Sequence, residues 1–202
     1  MYTATDVATP RGQRSLGVVL IVTSLIAWAA AFALTIDKFR QLADPDAVLS
    51  CNFSLLVQCG KNLDSWQGAV FGFPNPILGL AGWAMVLVAG VVAVSGVRMP
   101  RWFWLVFTAG MAFAIGLVIW LISQSVFVLG TLCPWCMVTW AVTIPAFLST
   151  VLFIARGDVL GLPERGRRVA DRASSWLPLL VLLCYLVVAL IAQLRLDVLS
   201  YL

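Results

Sequence analysis

The sequence predicts an all-α integral membrane protein, a bundle of five spanning helices. Three observations carry this. Of the 202 residues, 62% are apolar and only 11% charged, whereas soluble domains are near half apolar and a quarter charged. Five segments of about 20 residues are uninterrupted by Asp, Glu, Lys or Arg, long enough to cross a bilayer core as helices. None alternates with period two, which excludes a transmembrane barrel, the other structure able to satisfy its backbone in lipid.

In order, the spans are Leu16 to Ile36, Ile77 to Val97, Trp102 to Ser123, Cys133 to Ala155 and Trp176 to Leu194. Arg11 and Arg14 precede the first, and Ala31-Phe32-Ala33 is a small-x-small pattern of the kind that ends a cleaved signal. The apolar run is too long for one, so it reads as a permanent span. Sidedness follows from the basic residues. Arg11, Arg14, Arg98, Arg101, Arg156, Arg165, Arg167, Arg168 and Arg172 fall on one side, and Lys38, Arg40, Lys61 and Arg195 on the other. This asymmetry puts the N-terminus in the cytoplasm and the C-terminus outside.

The stretch 37–76 is the sizeable outer loop. Trp66, Val70, Phe71 and Phe73 among its glycines and polar residues predict a short helical lid resting at the lipid interface, apolar side down. The basic stretch from Arg156 to Arg172 reads as a topology-setting loop. One domain, 1–202, is expected.

The chain has no histidine, so imidazole bases, Ser-His-Asp triads and histidine-ligated metals are excluded. Its five cysteines are the chemistry-bearing residues. Cys51 and Cys59 lie in the outer loop, Cys133 and Cys136 at the outer start of the fourth span, and Cys184 inside the fifth, where a small core residue is expected. Four outer cysteines allow three pairings, and the two local ones, 51–59 and 133–136, need the least chain rearrangement. A thiolate metal site is disfavoured because seven residues separate the first pair, where two to four are usual. Cys133-Pro134-Trp135-Cys136 opens a helix, where free backbone N–H groups and the helix dipole stabilise a thiolate. So small a ring staples little chain, which favours a redox switch over a structural bridge. The competing reading is a non-catalytic membrane channel or scaffold with stapled outer loops.

Cys51-x7-Cys59, Ser65 six residues on, Phe73-Pro74-Asn75-Pro76-Ile77-Leu78-Gly79 opening the second span and Cys133-Pro134-Trp135-Cys136 opening the fourth occur here together and in this order. The combination resembles the vitamin K epoxide reductase family, specifically its bacterial members, which oxidise thioredoxin-fold proteins and reduce a membrane quinone. The four-span DsbB-type oxidases catalyse the same overall reaction but carry the two cysteine pairs in reversed order.

The resemblance implies a four-helix core around a quinone pocket with a fifth helix added, in a bacterial inner membrane. It makes Cys136 the cysteine beside the quinone, Cys133 its partner, Cys59 the sulfur that exchanges with Cys133, and Cys51 the one that meets the external protein. Ser65 is implied to hold the loop, and Asn75, Phe73 and Trp140 to line the quinone site, Asn75 as donor to a quinone carbonyl. Trp140 stands where vertebrate members have tyrosine. The acceptor is menaquinone or ubiquinone, with no metal. Because the chain ends at Leu202, soon after the fifth span, the expected partner is a separate thioredoxin-fold, DsbA-like protein.

Overall fold

In a computed structural model, which describes residues 10–157 and 159–201, the chain is an all-α bundle. Helix α1 spans Pro10–Ala43, α2 Gly60–Asp64, α3 Asn75–Val94, α4 Arg101–Ser123, α5 Pro134–Arg156, α6 Glu164–Ser175 and α7 Leu177–Leu196. Short 3-10 turns cover Trp66–Ala69 and Val198–Tyr201, and a π-helical turn, Gln124–Leu129, prolongs α4. Among the described residues the one β-type pairing is an isolated parallel bridge between Val57 and Leu132. Helices α1, α3, α4, α5 and α7 are long and apolar enough to span a membrane, so the protein is a multi-pass membrane protein.

Two expectations need correction. The outer loop does not begin at residue 37: α1 runs on to Ala43, because Asp37, Lys38 and Arg40 all find partners at the rim of the bundle. The basic stretch is not a plain loop. From Glu164 it winds into α6, with Ala170 buried and Arg156 of α5 paired to Asp171 at 2.9 Å.

Helix α1 is the spine, packed along both α3 and α5. Its crossing with α3 is a backbone contact. A Cβ on Gly17 would stand 2.7 Å from the Val94 nitrogen, and one on Gly90 3.0 Å from the Ile21 nitrogen. In lipid, where apolar side chains gain little by leaving their surroundings, such close approach between small residues is a main source of helix association. Near the start of α4, Trp104 is fully buried, its ring centroid 4.7 Å from that of Phe153, which locks α4 onto α5. Helices α3 and α4 barely touch.

Pro145 lies inside α5 and cannot donate to the carbonyl of Ala141, one turn earlier. The hydroxyl of Tyr185 on α7 donates to that carbonyl at 2.5 Å. An unpaired carbonyl in the hydrocarbon region costs several kcal/mol, so this one bond both repairs α5 and docks the fifth span.

Candidate functional site

Four cysteines meet in one apolar cluster with Leu34, Leu49 and Leu63. Cys51 and Cys59 are joined by a disulfide with their Cα atoms 5.7 Å apart. Cys133 and Cys136 are both thiols, so the structure holds an oxidised outer pair beside a reduced inner pair, and the expected 133–136 bridge is open. The Cys133 Sγ lies 3.2 Å from the Cys59 Sγ. Cys133 stands just outside the helix that the Cys133-Pro134-Trp135-Cys136 segment opens. It is the N-cap of α5, with extended backbone, and its sulfur accepts the backbone N–H of Cys136 at 3.4 Å. The cap rotates its sulfur out of the helix and toward the loop, which is why it meets Cys59.

That meeting is enforced by backbone. Leu132 donates to Leu56 O at 2.8 Å and accepts from Gln58 N at 3.0 Å, so the segment before Cys59 is paired to the residue before Cys133. Lys61 Nζ donates to Leu129 O at 2.6 Å, and Asn62 Nδ2 to Thr131 Oγ1 at 3.1 Å. Asn52 Oδ1 accepts the N–H groups of Cys59 and Gly60, at 3.0 and 3.2 Å, closing the Cys51–Cys59 loop on itself. Ser65 Oγ donates to Asn62 O at 2.7 Å.

A cavity of about 990 Å³ runs between α3 and α4, walled by α1 and α5 and roofed by the residue 62–68 segment. Its walls are overwhelmingly apolar. Cys136, Trp140, Asn75, Ser65, Gln67 and Gln124 line it; Cys133 and Phe73 do not. The sequence placed Phe73 in this site. Its ring is instead 40% exposed and packs on Phe71, because the Gly72 turn, at φ 81°, swings it outside the wall. The short helical segment expected here is the Trp66–Ala69 turn: Trp66 packs on Trp120 at 5.7 Å and Phe71 on Phe113 at 6.2 Å, fastening the loop to α4.

Asn75 binds the lid with its side chain. Its Nδ2 donates to Gln67 O at 2.7 Å and its Oδ1 accepts from Val70 N at 3.1 Å. One N–H of the amide is left for a ligand. Gln67 is 4% exposed; its Nε2 donates to Gln124 Oε1 at 3.3 Å, and its own Oε1 is buried without a partner. A buried unpaired amide oxygen beside an apolar cavity is an acceptor in want of a donor, and so fits a ring that carries a hydroxyl.

A model of the vitamin K epoxide reductase family matches residues 18–151, two thirds of the chain. The chain belongs to the vitamin K epoxide reductase family. Curated proteins yield no match to it. Membership makes this protein a membrane oxidoreductase of the family whose members couple thiol–disulfide chemistry to quinones and work with thioredoxin-like partners. The matched stretch runs from within α1 nearly to the end of α5 and contains all four clustered cysteines. Among the described residues no group of three or more His, Cys, Asp or Glu side chains could hold a metal ion.

Three residues at this site went unread in the sequence. Asp37 is 1% exposed, and its Oδ2 lies 2.7 Å from Ser50 Oγ and 3.4 Å from Cys51 Sγ. It directly follows an apolar span, where a sequence pattern marks the first residue of a loop. Asn52, next to Cys51, and Gln67, two residues after Ser65, had no spacing signal of their own. Cys184 on α7 is half-buried and stands outside the cysteine cluster.

Proposed function

We propose that this protein is a quinone-dependent thiol oxidase of the bacterial inner membrane, N-terminus cytoplasmic, that supports disulfide formation in exported proteins. Electrons enter from a thioredoxin-fold, DsbA-like partner acting in trans, pass from Cys51 and Cys59 to Cys133 and Cys136, and leave on menaquinone or ubiquinone. The observation that carries this reading is the 3.2 Å separation of Cys59 and Cys133 sulfurs, with Cys136 on the wall of the cavity.

Each exchange needs one thiolate in line with one disulfide. A partner thiolate attacks Cys51 Sγ, forming a mixed disulfide and releasing Cys59; the partner's second thiol then attacks its own bridged sulfur, leaving oxidised and freeing Cys51. Cys59 attacks Cys133 of the oxidised inner pair and releases Cys136. Cys51 closes back on Cys59 and releases Cys133, which leaves the inner pair as two thiols. That is the redox state of this structure. A bound quinone would take up two electrons and two protons. Asn75, through its remaining N–H, would donate to a carbonyl of the quinone, Gln67 Oε1 would accept from a hydroxyl of the reduced ring, Trp140 and the apolar walls would hold the ring, and Ser65 would keep the roof in place.

Cys51 and Cys59 are 1% and 0% exposed, so partner access requires the loop to lift. Phe53 and Leu55, at 74% and 86% exposure, lie within the ring that would lift.

The test is purified protein with a reduced thioredoxin-fold oxidase and a short-chain quinone, followed by quinone absorbance. Quinone reduction that requires all four cysteines is expected. Its absence, with the 51–59 disulfide resistant to mild dithiol, would leave a stapled scaffold.

A further inference from the structure

Among the described residues the most enclosed charge is the carboxylate of Asp37, and it faces sulfur. It sits on α1 at 1% exposure, with Oδ2 against Cys51 Sγ at 3.4 Å and Ser50 Oγ at 2.7 Å. On its other side Arg40 Nη1 is 3.9 Å from Oδ1. Burying a carboxylate at the edge of an apolar cluster is costly unless it is paired, and Ser50 and Arg40 are the groups that pair it. A disulfide sulfur donates nothing, so the contact with Cys51 becomes a hydrogen bond only when the 51–59 bond is open and Cys51 carries a proton.

We infer that Asp37 is the acid–base residue for Cys51. It takes the Cys51 thiol proton as Cys51 closes onto Cys59, and returns a proton to Cys51 when the partner's second thiol displaces Cys51 from the mixed disulfide. The assignment rests on the exchange sequence proposed above for the direction of flow, but the chemistry is local. In closing, the Cys51 S–H proton passes to Asp37 Oδ2. The Cys51 sulfur then forms its bond to Cys59, the Cys59–Cys133 bond breaks, and Cys133 departs with the electron pair. Cys51 is oxidised and Cys133 reduced, with no further reagent. Ser50 is exposed and hydrogen-bonded to the same carboxylate oxygen, so it connects the proton to water.

The other charges around the site are engaged elsewhere. Lys38, next to Asp37 on α1, donates to Leu63 O at 2.8 Å and faces Asp64. Lys61 of α2 donates to Leu129 O. From α5 the titratable groups facing the cluster are the thiols of Cys133 and Cys136. Asp37 is therefore the carboxylate placed to relieve Cys51 of its proton, and general-base help of this kind is typically worth on the order of 10²-fold or more in rate.

The experiment uses full-length protein with Cys133, Cys136 and Cys184 replaced by Ser, so that Cys51 and Cys59 alone react. After reduction, closure of the 51–59 bond by glutathione disulfide is followed from pH 5.5 to 9.5 by acid quench and thiol-shift electrophoresis. Asp37→Asn, which keeps the size and the oxygen that Ser50 bonds, is expected to close at least tenfold more slowly at pH 7. It should approach the parent rate at pH 9.5, where hydroxide supplies the base. Asp37→Glu should be faster than Asp37→Asn at pH 7. An Asn variant equal to the parent at every pH, or slower by the same factor at every pH, overturns the assignment, as does a Glu variant no faster than Asn. Quinone takes no part, so an enzyme that fails to reduce quinone but shows this profile would sink the proposed function and leave the role of Asp37 standing.

Discussion

Cys59 and Cys133 sit sulfur to sulfur at 3.2 Å although 74 residues separate them in sequence, each on the segment that the Val57–Leu132 bridge pairs. The contact joins the outer disulfide to the inner pair, and it can be caught covalently. In Cys51→Ser the freed Cys59 lacks its normal partner, and mild oxidation should link it to Cys133. Non-reducing electrophoresis after a protease cut between the two segments should show them held together. Adding Cys133→Ser should abolish the link, whereas Cys184→Ser should not.

Asn75 spends two of its hydrogen bonds on the lid backbone, so its loss should act on the cavity roof as well as on any ligand. Asn75→Ala is expected to lower kcat/KM for a short-chain quinone on the order of tenfold, about 1.4 kcal/mol, while leaving thiol exchange with the partner near normal. Gln67→Leu should instead lower kcat, because it removes the acceptor for the hydroxyl that the ring gains on reduction. Steady-state quinone kinetics beside a quinone-free exchange assay separates the two effects. An unchanged quinone reaction in both variants would remove this wall from the site.

Tyr185→Phe removes the one donor to the Ala141 carbonyl that Pro145 leaves open. A buried acceptor left without its partner costs about 1–3 kcal/mol, and the loss falls on the docking of α7. A fall in melting temperature in detergent is expected, together with faster proteolysis beyond α6 and retained cysteine chemistry. Restoring the N–H with Pro145→Ala in the same chain should recover much of the loss.

Sidedness is open to labelling. Ala47 follows α1 and Gly96 follows α3, at opposite ends of the bundle. In a cysteine-free chain, Ala47→Cys should react with a membrane-impermeant maleimide from outside intact cells, and Gly96→Cys only after lysis. The reverse pattern would invert the orientation and put the four cysteines in the cytoplasm.

Charge-free apolar runs already determined five spanning helices, since a backbone in lipid has so few ways to satisfy itself. Cysteine spacing beside Phe73-Pro74-Asn75-Pro76-Ile77-Leu78-Gly79 carried the family, and the aromatic residues around Trp66 foretold a lid. All of these are local patterns. What only the tertiary structure decided is how distant segments meet. The cap geometry of Cys133 and the Val57–Leu132 pairing select Cys59 as its neighbour. The turn at Gly72 takes Phe73 out of the cavity that Gln67 enters. Asp37, one residue beyond an apolar run, reads in the sequence as the start of a loop; helix α1 continues through it because Arg40, one turn on, and Ser50, from the returning loop, pair its charge, placing the carboxylate against Cys51. No sequence period encodes such a contact, because it depends on where a loop folds back, and that is settled by backbone hydrogen bonds and burial formed only when the bundle closes.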